Sequence, residues 1–390
     1  MTPPALLVGQ SGGPTPVINS SLAGVLFAAR DRFPRVLGLR HGIEGALGER
    51  LISLDTLSDA DLDALRRTPA AALGSCRHKL SEADYERVLD TFRRHNVRWF
   101  CYIGGNDSMD TCARLESLAR QRGYDLAVFG VPKTIDNDLV GTDHCPGYGS
   151  AARYWAISTQ EATRDLAAMR TYDRVLILEC AGRNAGWLAA TTGVYKRDER
   201  DGPHVLLTPE HPFDRTAFLS QVDAVLGQVG YCVVAASETI RDEAGKYVSS
   251  SVGGTDRFGH AIVTAVGETL AQMVSQELGV KARANKPGTF QRTSMAYVSE
   301  PDREEAFGAG KEAARRLAGG ESARMVTLER AVESDYRCTF GTIALAEVAN
   351  AERRMPPEFF DHRGMMIDHP FVNYARPLLG AAPEPHFQLA

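Results

Sequence analysis

The chain has 390 residues, 44% hydrophobic and 24% charged, an ordinary globular balance with room for one large domain or two sizeable lobes. Its net charge of −5 offers no footprint for nucleic acid or an anionic membrane face, so an anionic ligand needs a local basic pocket. The seven scattered cysteines form no CxxC pair, no apolar stretch reaches bilayer length, and Met1-Thr2-Pro3-Pro4 is not a signal peptide. A cytoplasmic protein without a zinc or disulfide framework is expected.

Strand-like and helix-like segments alternate along the chain. Ala5–Val8 reads as a strand leading through a glycine loop to a helix over Val17–Arg30, with a second strand at Arg35–Leu39. Ser81 and Asp84 have capping-box spacing ahead of a helix over Tyr85–His95. Strand 97–103, helix 108–121 and strand 126–131 follow, then a long helix at about 150–170 and a strand from Arg174. A helix near 185–195, strand Val205–Leu207, helix 214–227 and strand Tyr231–Ala236 continue the pattern. Helices near 262–278 and 302–318 and a late strand at Met325–Leu328 precede a proline-bearing tail expected to wrap the surface. Repeated βα units predict an α/β fold with mainly parallel sheets flanked by helices, and the length suggests two such sheets with a cleft between them.

The chemistry gathers where strands should end. Gly9-Gln10-Ser11-Gly12-Gly13-Pro14-Thr15-Pro16 lets backbone N–H groups approach an anion at a helix N-terminus, but it matches neither common nucleotide fingerprint and serves equally as a plain turn. Arg77, in Gly74–Lys79, is either a bidentate phosphate grip or part of a solvated basic loop. In Gly104-Gly105-Asn106-Asp107-Ser108, Asp107 can orient a metal or a lysine, or simply cap the next helix. Pro132-Lys133-Thr134-Ile135-Asp136-Asn137-Asp138 is the most specific segment. Lys133 supplies a point charge for phosphate, and Asp136 and Asp138 face the same way if the backbone is extended. One carboxylate can then take a hydroxyl proton, a role worth about 10²–10⁴ in rate, while the other supports a metal or the lysine. Ala181-Gly182-Arg183-Asn184-Ala185-Gly186-Trp187, Ser237-Glu238 and Lys286–Arg292 add further polar mouths and basic charge.

Taken in order from Gly12 to at least Arg292, these motifs resemble the phosphofructokinase family, with the PKTIDND and GRNAGW segments its specific parts. The resemblance implies two similar α/β lobes with the active site in the cleft between them. Residues 1–140 plus about 302–350 would form the phosphoryl-donor lobe, and about 141–301 plus 351–390 the sugar-phosphate lobe. It implies Asp136 as the base for a sugar 1-hydroxyl, Asp138 as its catalytic neighbour and Thr134 in contact with the transferred phosphoryl group. Gly12, Gly13, Arg77, Gly105, Asp107, Ser108 and Lys133 fall on the donor side. Gly182 and Glu238 match sugar-binding positions, and Arg174, Arg183 and Arg292 surround the substrate. Arg174 and Arg292 are expected from a neighbouring subunit, hence a homo-oligomer, dimer or tetramer.

Members of the family that use ATP carry glycine at the positions of Asp107 and Lys133. Two bulky charged residues there occupy space needed by a nucleotide, which points to pyrophosphate. Mg2+ is expected, with metal positions at Asn106, Asp107 and Asp138, although Asn106 replaces the usual aspartate. Ala181 replaces a methionine, and Thr293-Ser294-Met295-Ala296-Tyr297 stands where a histidine and an arginine grip the 6-phosphate, leaving Tyr374 or Arg376 to compensate. The expected reaction is reversible transfer from pyrophosphate to fructose 6-phosphate. Its rivals are ATP as donor, sedoheptulose 7-phosphate as acceptor, and a catalytically silent sugar-phosphate sensor or regulatory subunit. Asn106 favours the last; intact Asp136 and Asp138 oppose it. The Gly-Gly-acid turn also resembles NAD kinases and lipid kinases, which lack the PKTIDND segment.

Overall fold

The computed structural model describes residues 2–249, 251–255, 261–263, 266–331, 335–349 and 351–387. Its strands in chain order are β1 (Ala5–Gln10), β2 (Val36–Leu39), β3 (Leu51–Ser53), β4 (Val97–Gly104), β5 (Ala127–Pro132), β6 (Val175–Cys180) and β7 (Val205–Leu207). They continue as β8 (Cys232–Ser237), β9 (Ser251–Thr255), β10 (Ala261–Val263), β11 (Ala282–Asn285), β12 (Arg324–Arg330) and β13 (Cys338–Ala344). One sheet has the order β13-β12-β5-β4-β1-β2-β3 and a second β11-β6-β8-β7, while β9 and β10 pair as a hairpin. The second sheet is wholly parallel, and the first is parallel except for its edge strands β3 and β13.

Parallel strands covered on both faces need uninterrupted apolar runs, which is why β1, β6 and β8 are buried at every position. In the first sheet the chain adds strands outward from β1 to β3, then returns to β4 on the opposite side of β1. That reversal opens a crevice at the carboxyl ends of β1 and β4, where the Gly12-Gly13 and Gly104-Gly105 loops emerge. Helix Ile18–Ala29 covers one face by packing closely on helix Glu300–Ala318. A Cβ on Gly24 would stand 2.0 Å from the Phe307 carbonyl oxygen, and one on Gly310 would stand 1.9 Å from that of Ser21. The contact carries residues 300–318 and β12 to the first sheet, although they follow the second in sequence.

Several elements differ from the sequence reading. The expected helix near 185–195 is a short one at Trp187–Thr191, and the one near 262–278 starts at Val266, residues 262–263 belonging to β10 and 264–265 lying outside the described residues. Strands β3, β11 and β13 lack long apolar runs and went unanticipated. The tail does not merely wrap the surface. Phe371, Leu378 and Leu379 are fully buried beside Trp155 and Trp187 in the second sheet's core. The Ser81–Asp84 capping box forms as its spacing predicts.

Candidate active site

The mouths of the two sheets face one cavity of about 300 Å³. From the first sheet it is lined by Gly12, Gly13, Gly105, Asn106, Asp107, Ser108, Lys133, Thr134, Asp136 and Asp138. Arg77 and Arg183 complete the lining among the residues singled out from sequence. Ser11, His78 and Asn184 also line it; each sits inside or beside a motif already recognised. Glu352 does so from the tail, where nothing in Ala351-Glu352-Arg353-Arg354 distinguishes it from ordinary surface charge.

The loops at the mouth of the first sheet are stitched together. Lys133 N–H donates to the Gly104 carbonyl at 2.9 Å, extending the β4–β5 pairing beyond the strands. The Lys133 ammonium donates to the Gly13 carbonyl at 2.8 Å and is almost wholly buried. A Cβ on Gly12 would lie 3.1 Å from that nitrogen, and Gly12 has φ +74°, so glycine serves both the turn and the approach. Burial lowers the Lys133 pKa to about 8, with Asp136 opposing the shift.

Helix Asn106–Gln121 starts at this mouth with Gly105 as its N-cap and no capping side chain. Asp107 lies within the first turn, so it is not the cap, and the helix N-terminus stays available to an anion. Asn106 Nδ2 donates weakly to Asp138 at 3.4 Å, and Asn106 Oδ1 is buried without a hydrogen-bond partner. An orphaned acceptor beside a carboxylate fits a cation.

Asp136 is held at the turn by its N–H, which donates to Thr134 Oγ1 at 3.1 Å. Burial pushes its pKa up to about 7. Asp138 and Glu238 reinforce the rise, and Lys133 and Arg183 oppose it. Burial also raises Asp138. Asn137 between them adopts φ 56°, so the segment is a turn rather than the extended run that would point both carboxylates the same way. They converge on one cavity nonetheless.

From the second sheet, Glu238 follows β8, its N–H bonded to the Cys180 carbonyl at 2.8 Å, close enough to act on Asp136. Gly182 shapes the turn without lining the cavity: its φ is +129°, and a Cβ would stand 2.6 Å from the Ala185 carbonyl oxygen. Arg292 reaches the cleft of its own chain, contrary to its expected loan across an interface. Its Nη1 lies 2.8 Å from the point a Cβ on Gly13 would occupy, and its guanidinium interacts with Arg77 and Asp136. Buried Gln291 explains this: its Oε1 accepts from Ala181 N–H at 2.9 Å and Trp155 Nε1 at 3.0 Å, pinning the turn against the 181–186 loop.

Three expected substrate residues lie elsewhere. Arg174 precedes β6, at the end opposite the mouth, and its Nε donates to the Gly230 carbonyl at 2.7 Å. The Tyr374 hydroxyl is buried, accepting from Asn137 Nδ2 at 2.9 Å and donating to the Asp143 carbonyl at 2.8 Å. Arg376 points to the Val194 carbonyl and lines a separate groove with Tyr195 and Pro383. The tail's burial in the second core fixes both side chains behind the cleft.

Outside the cavity, His144, Glu305 and Cys338 are the only His, Cys, Asp or Glu group among the described residues close enough to share a metal ion. Both imidazole nitrogens are already engaged, by Asp143 at 2.8 Å and Glu305 at 2.7 Å. Burial alone would lower the His144 pKa, but those two carboxylates outweigh it and raise it to about 9. An imidazolium bridging two carboxylates accounts for the group.

The family model described as phosphofructokinase matches residues 5–317. The chain is 46% identical to the pyrophosphate–fructose 6-phosphate 1-phosphotransferase of Xanthomonas campestris, over 98% of this chain and 93% of that protein. It is 41% identical to the enzyme of that name from Halomonas elongata, over 97% and 92%. The crystal structure of a pyrophosphate-dependent phosphofructokinase from Marinobacter aquaeolei superposes with a TM-score of 0.88 at 40% identity, over 99% of this chain and 94% of that one.

Proposed function

Because the chain belongs to the phosphofructokinase family, we propose that it transfers a phosphoryl group reversibly from pyrophosphate to the 1-hydroxyl of fructose 6-phosphate. The products are fructose 1,6-bisphosphate and orthophosphate. The observation that carries the choice of donor is the buried Lys133 ammonium, anchored on the Gly13 carbonyl beside Gly12. There it fills space that a nucleotide would need and presents a point charge to a free diphosphate. Asp107, in the same cavity, narrows it further.

Asp136 takes the proton of the attacking hydroxyl, and a pKa of about 7 suits a base working near neutrality. Lys133, Arg183 and the open N-terminus of helix Asn106–Gln121 stabilise charge on the transferring phosphoryl oxygens, with Thr134 beside them and Arg292 against Gly13 adding positive charge. Asn106 Oδ1, Asp107 and Asp138 would hold Mg2+, which neutralises charge on the diphosphate when bound. The first sheet with residues 300–344 serves the donor, and the second sheet with the tail serves the acceptor. Because pyrophosphate and the product ester carry similar phosphoryl energy, both glycolytic and gluconeogenic directions are open. Arg174, remote from its own cleft, suits a homo-oligomer in which it faces a neighbouring site. A cytoplasmic location fits seven free cysteines and the lack, among the described residues, of any helix able to cross a membrane.

The test is an assay of pyrophosphate, ATP and ADP against fructose 6-phosphate and sedoheptulose 7-phosphate, with and without Mg2+. Bisphosphate should form from pyrophosphate and fructose 6-phosphate in the presence of Mg2+. Turnover driven by ATP and not by pyrophosphate would overturn the donor assignment.

A further inference from the structure

Asn137, between Asp136 and Asp138, is fully buried and left-handed at φ 56°, an uncommon state for a residue with a side chain. Its surroundings hold it from every side. Oδ1 accepts from Cys145 N–H at 3.0 Å, and Nδ2 donates to the Tyr374 hydroxyl at 2.9 Å. Its carbonyl accepts from Arg353 Nη2 at 2.9 Å and Nε at 3.3 Å. The same guanidinium donates through Nη1 to the Thr142 carbonyl at 2.9 Å and to that of Asp143. The Arg353 backbone N–H donates to the Asp138 carbonyl at 2.7 Å. One residue thus ties down both ends of the 137–143 loop.

Arg353 and its neighbour also reach the second wall of the cleft. The guanidinium stacks 4.4 Å from the centre of the Trp187 ring, and Trp187 Nε1 donates to the Arg353 carbonyl at 3.1 Å. Glu352 accepts from Asn184 Nδ2 at 2.7 Å. Both tail anchors, Arg353 and Tyr374, lie beyond residues 5–317 matched by the family model.

We propose that Arg353, assisted by Tyr374, is a positioning residue for phosphoryl transfer. It fixes the turn that carries Asp136 and Asp138 and keeps the Arg183-Asn184 loop in register with it. Arginine is needed because a planar fork can serve three carbonyls and stack on an indole at once; a lysine ammonium cannot. The proposal rests on reading Asp136 as the base.

The test compares Arg353→Met, Arg353→Lys and Tyr374→Phe with the native protein and Asp136→Asn. The measurements are steady-state kinetics, thermal unfolding, and hydrogen exchange of segments 136–145 and 183–187. In Arg353→Met, kcat should fall about 100-fold, the scale of loss from misplacing a reacting group by about 1 Å, with KM for pyrophosphate little changed. Arg353→Lys should not restore kcat, and exchange should accelerate in both segments while the rest stays protected. Asp136→Asn should lose turnover without that acceleration, so a failure of the base assignment would show separately. Near-native kcat in Arg353→Met, or a loss that tracks global unfolding without local exchange, overturns the proposal. If Arg353→Met does not fold, Tyr374→Phe decides: faster exchange over 136–145 with lower kcat supports it, and native values of both overturn it.

Discussion

The two walls of the cleft are built differently. On the first sheet, Asn106, Lys133, Asp136 and Asp138 leave adjacent strands paired from Trp99 to Gly104, and a backbone hydrogen bond from Lys133 carries the pairing past the strand ends. Charges there are buried, and burial lowers the Lys133 pKa to about 8, raises that of Asp136 to about 7 and raises that of Asp138. On the second sheet, Arg183 is exposed, Glu238 is half-buried, and Arg292 arrives on a short helical turn pinned by Gln291. In the proposed reaction the first wall fixes where the proton and phosphoryl group go, and the second holds a polyol through groups that reach in from loops. Chemistry that depends on tuned charge needs the rigid wall; recognition of a hydroxylated ligand tolerates the looser one.

The largest way to break this contrast is Asp136→Asn. Loss of a positioned base should lower kcat by about 10²–10⁴, measured with pyrophosphate and fructose 6-phosphate. The fold should gain stability at the same time. The folded chain holds the Asp136 proton up to about pH 7 against an ordinary carboxyl value of 3.8, so ionisation opposes folding, and stability falls as pH rises through that window. Asparagine removes the cost, and thermal unfolding at pH 8 should occur at a higher temperature. For the native enzyme, kcat/KM should peak between about pH 7 and about pH 8. It declines below as Asp136 takes a proton and above as Lys133 loses one. An active Asp136→Asn variant, or a profile flat from pH 6 to 9, would show that the rigid wall is not the chemical one.

Lys133→Gly comes next. Removing one preorganised donor from a phosphoryl site should cost about 10²–10³ in turnover with pyrophosphate. The ratio of kcat/KM for pyrophosphate to that for ATP should also fall, more so when Asp107→Gly is combined with it. An unchanged ratio would separate Lys133 from donor selection and leave it only a structural anchor for the Gly13 carbonyl.

The same contrast governs what could be read from sequence. Strand ends on the first sheet were legible because apolar runs locate parallel strands and the polar residues follow immediately. Gly12, Lys133 and Asp136 therefore reach the cavity as their motifs suggest. The tail was not legible. Arg353 lies in an ordinary charged stretch, and its function depends on carbonyls at positions 137, 142 and 143, more than 200 residues away. Tyr374 is expected at the substrate only to replace the missing 6-phosphate grip, but burial of Phe371, Leu378 and Leu379 turns that segment inward. Arg292 erred in the other direction. The Gln291 bonds that bring it to its own Gly13 join residues 110 and 136 apart in sequence.

The smallest expected effect sharpens the contrast most cheaply. Arg376 is attractive to a sugar phosphate by charge, yet its guanidinium faces Val194 and a groove formed with Tyr195 and Pro383. Arg376→Ala should leave kcat and KM for fructose 6-phosphate within about twofold of native and shift stability by no more than about 0.5 kcal/mol, as at other surface sites. Arg292→Ala, in the same assay, should weaken binding or turnover clearly, because that guanidinium lies against Gly13 and interacts with Asp136. If Arg376→Ala raised KM about tenfold while Arg292→Ala did not, the acceptor wall would have to be rebuilt around the tail. The pair therefore tests whether the second wall ends at the loops after β6 and β8 and the turn at 288–293, or extends into the last twenty residues.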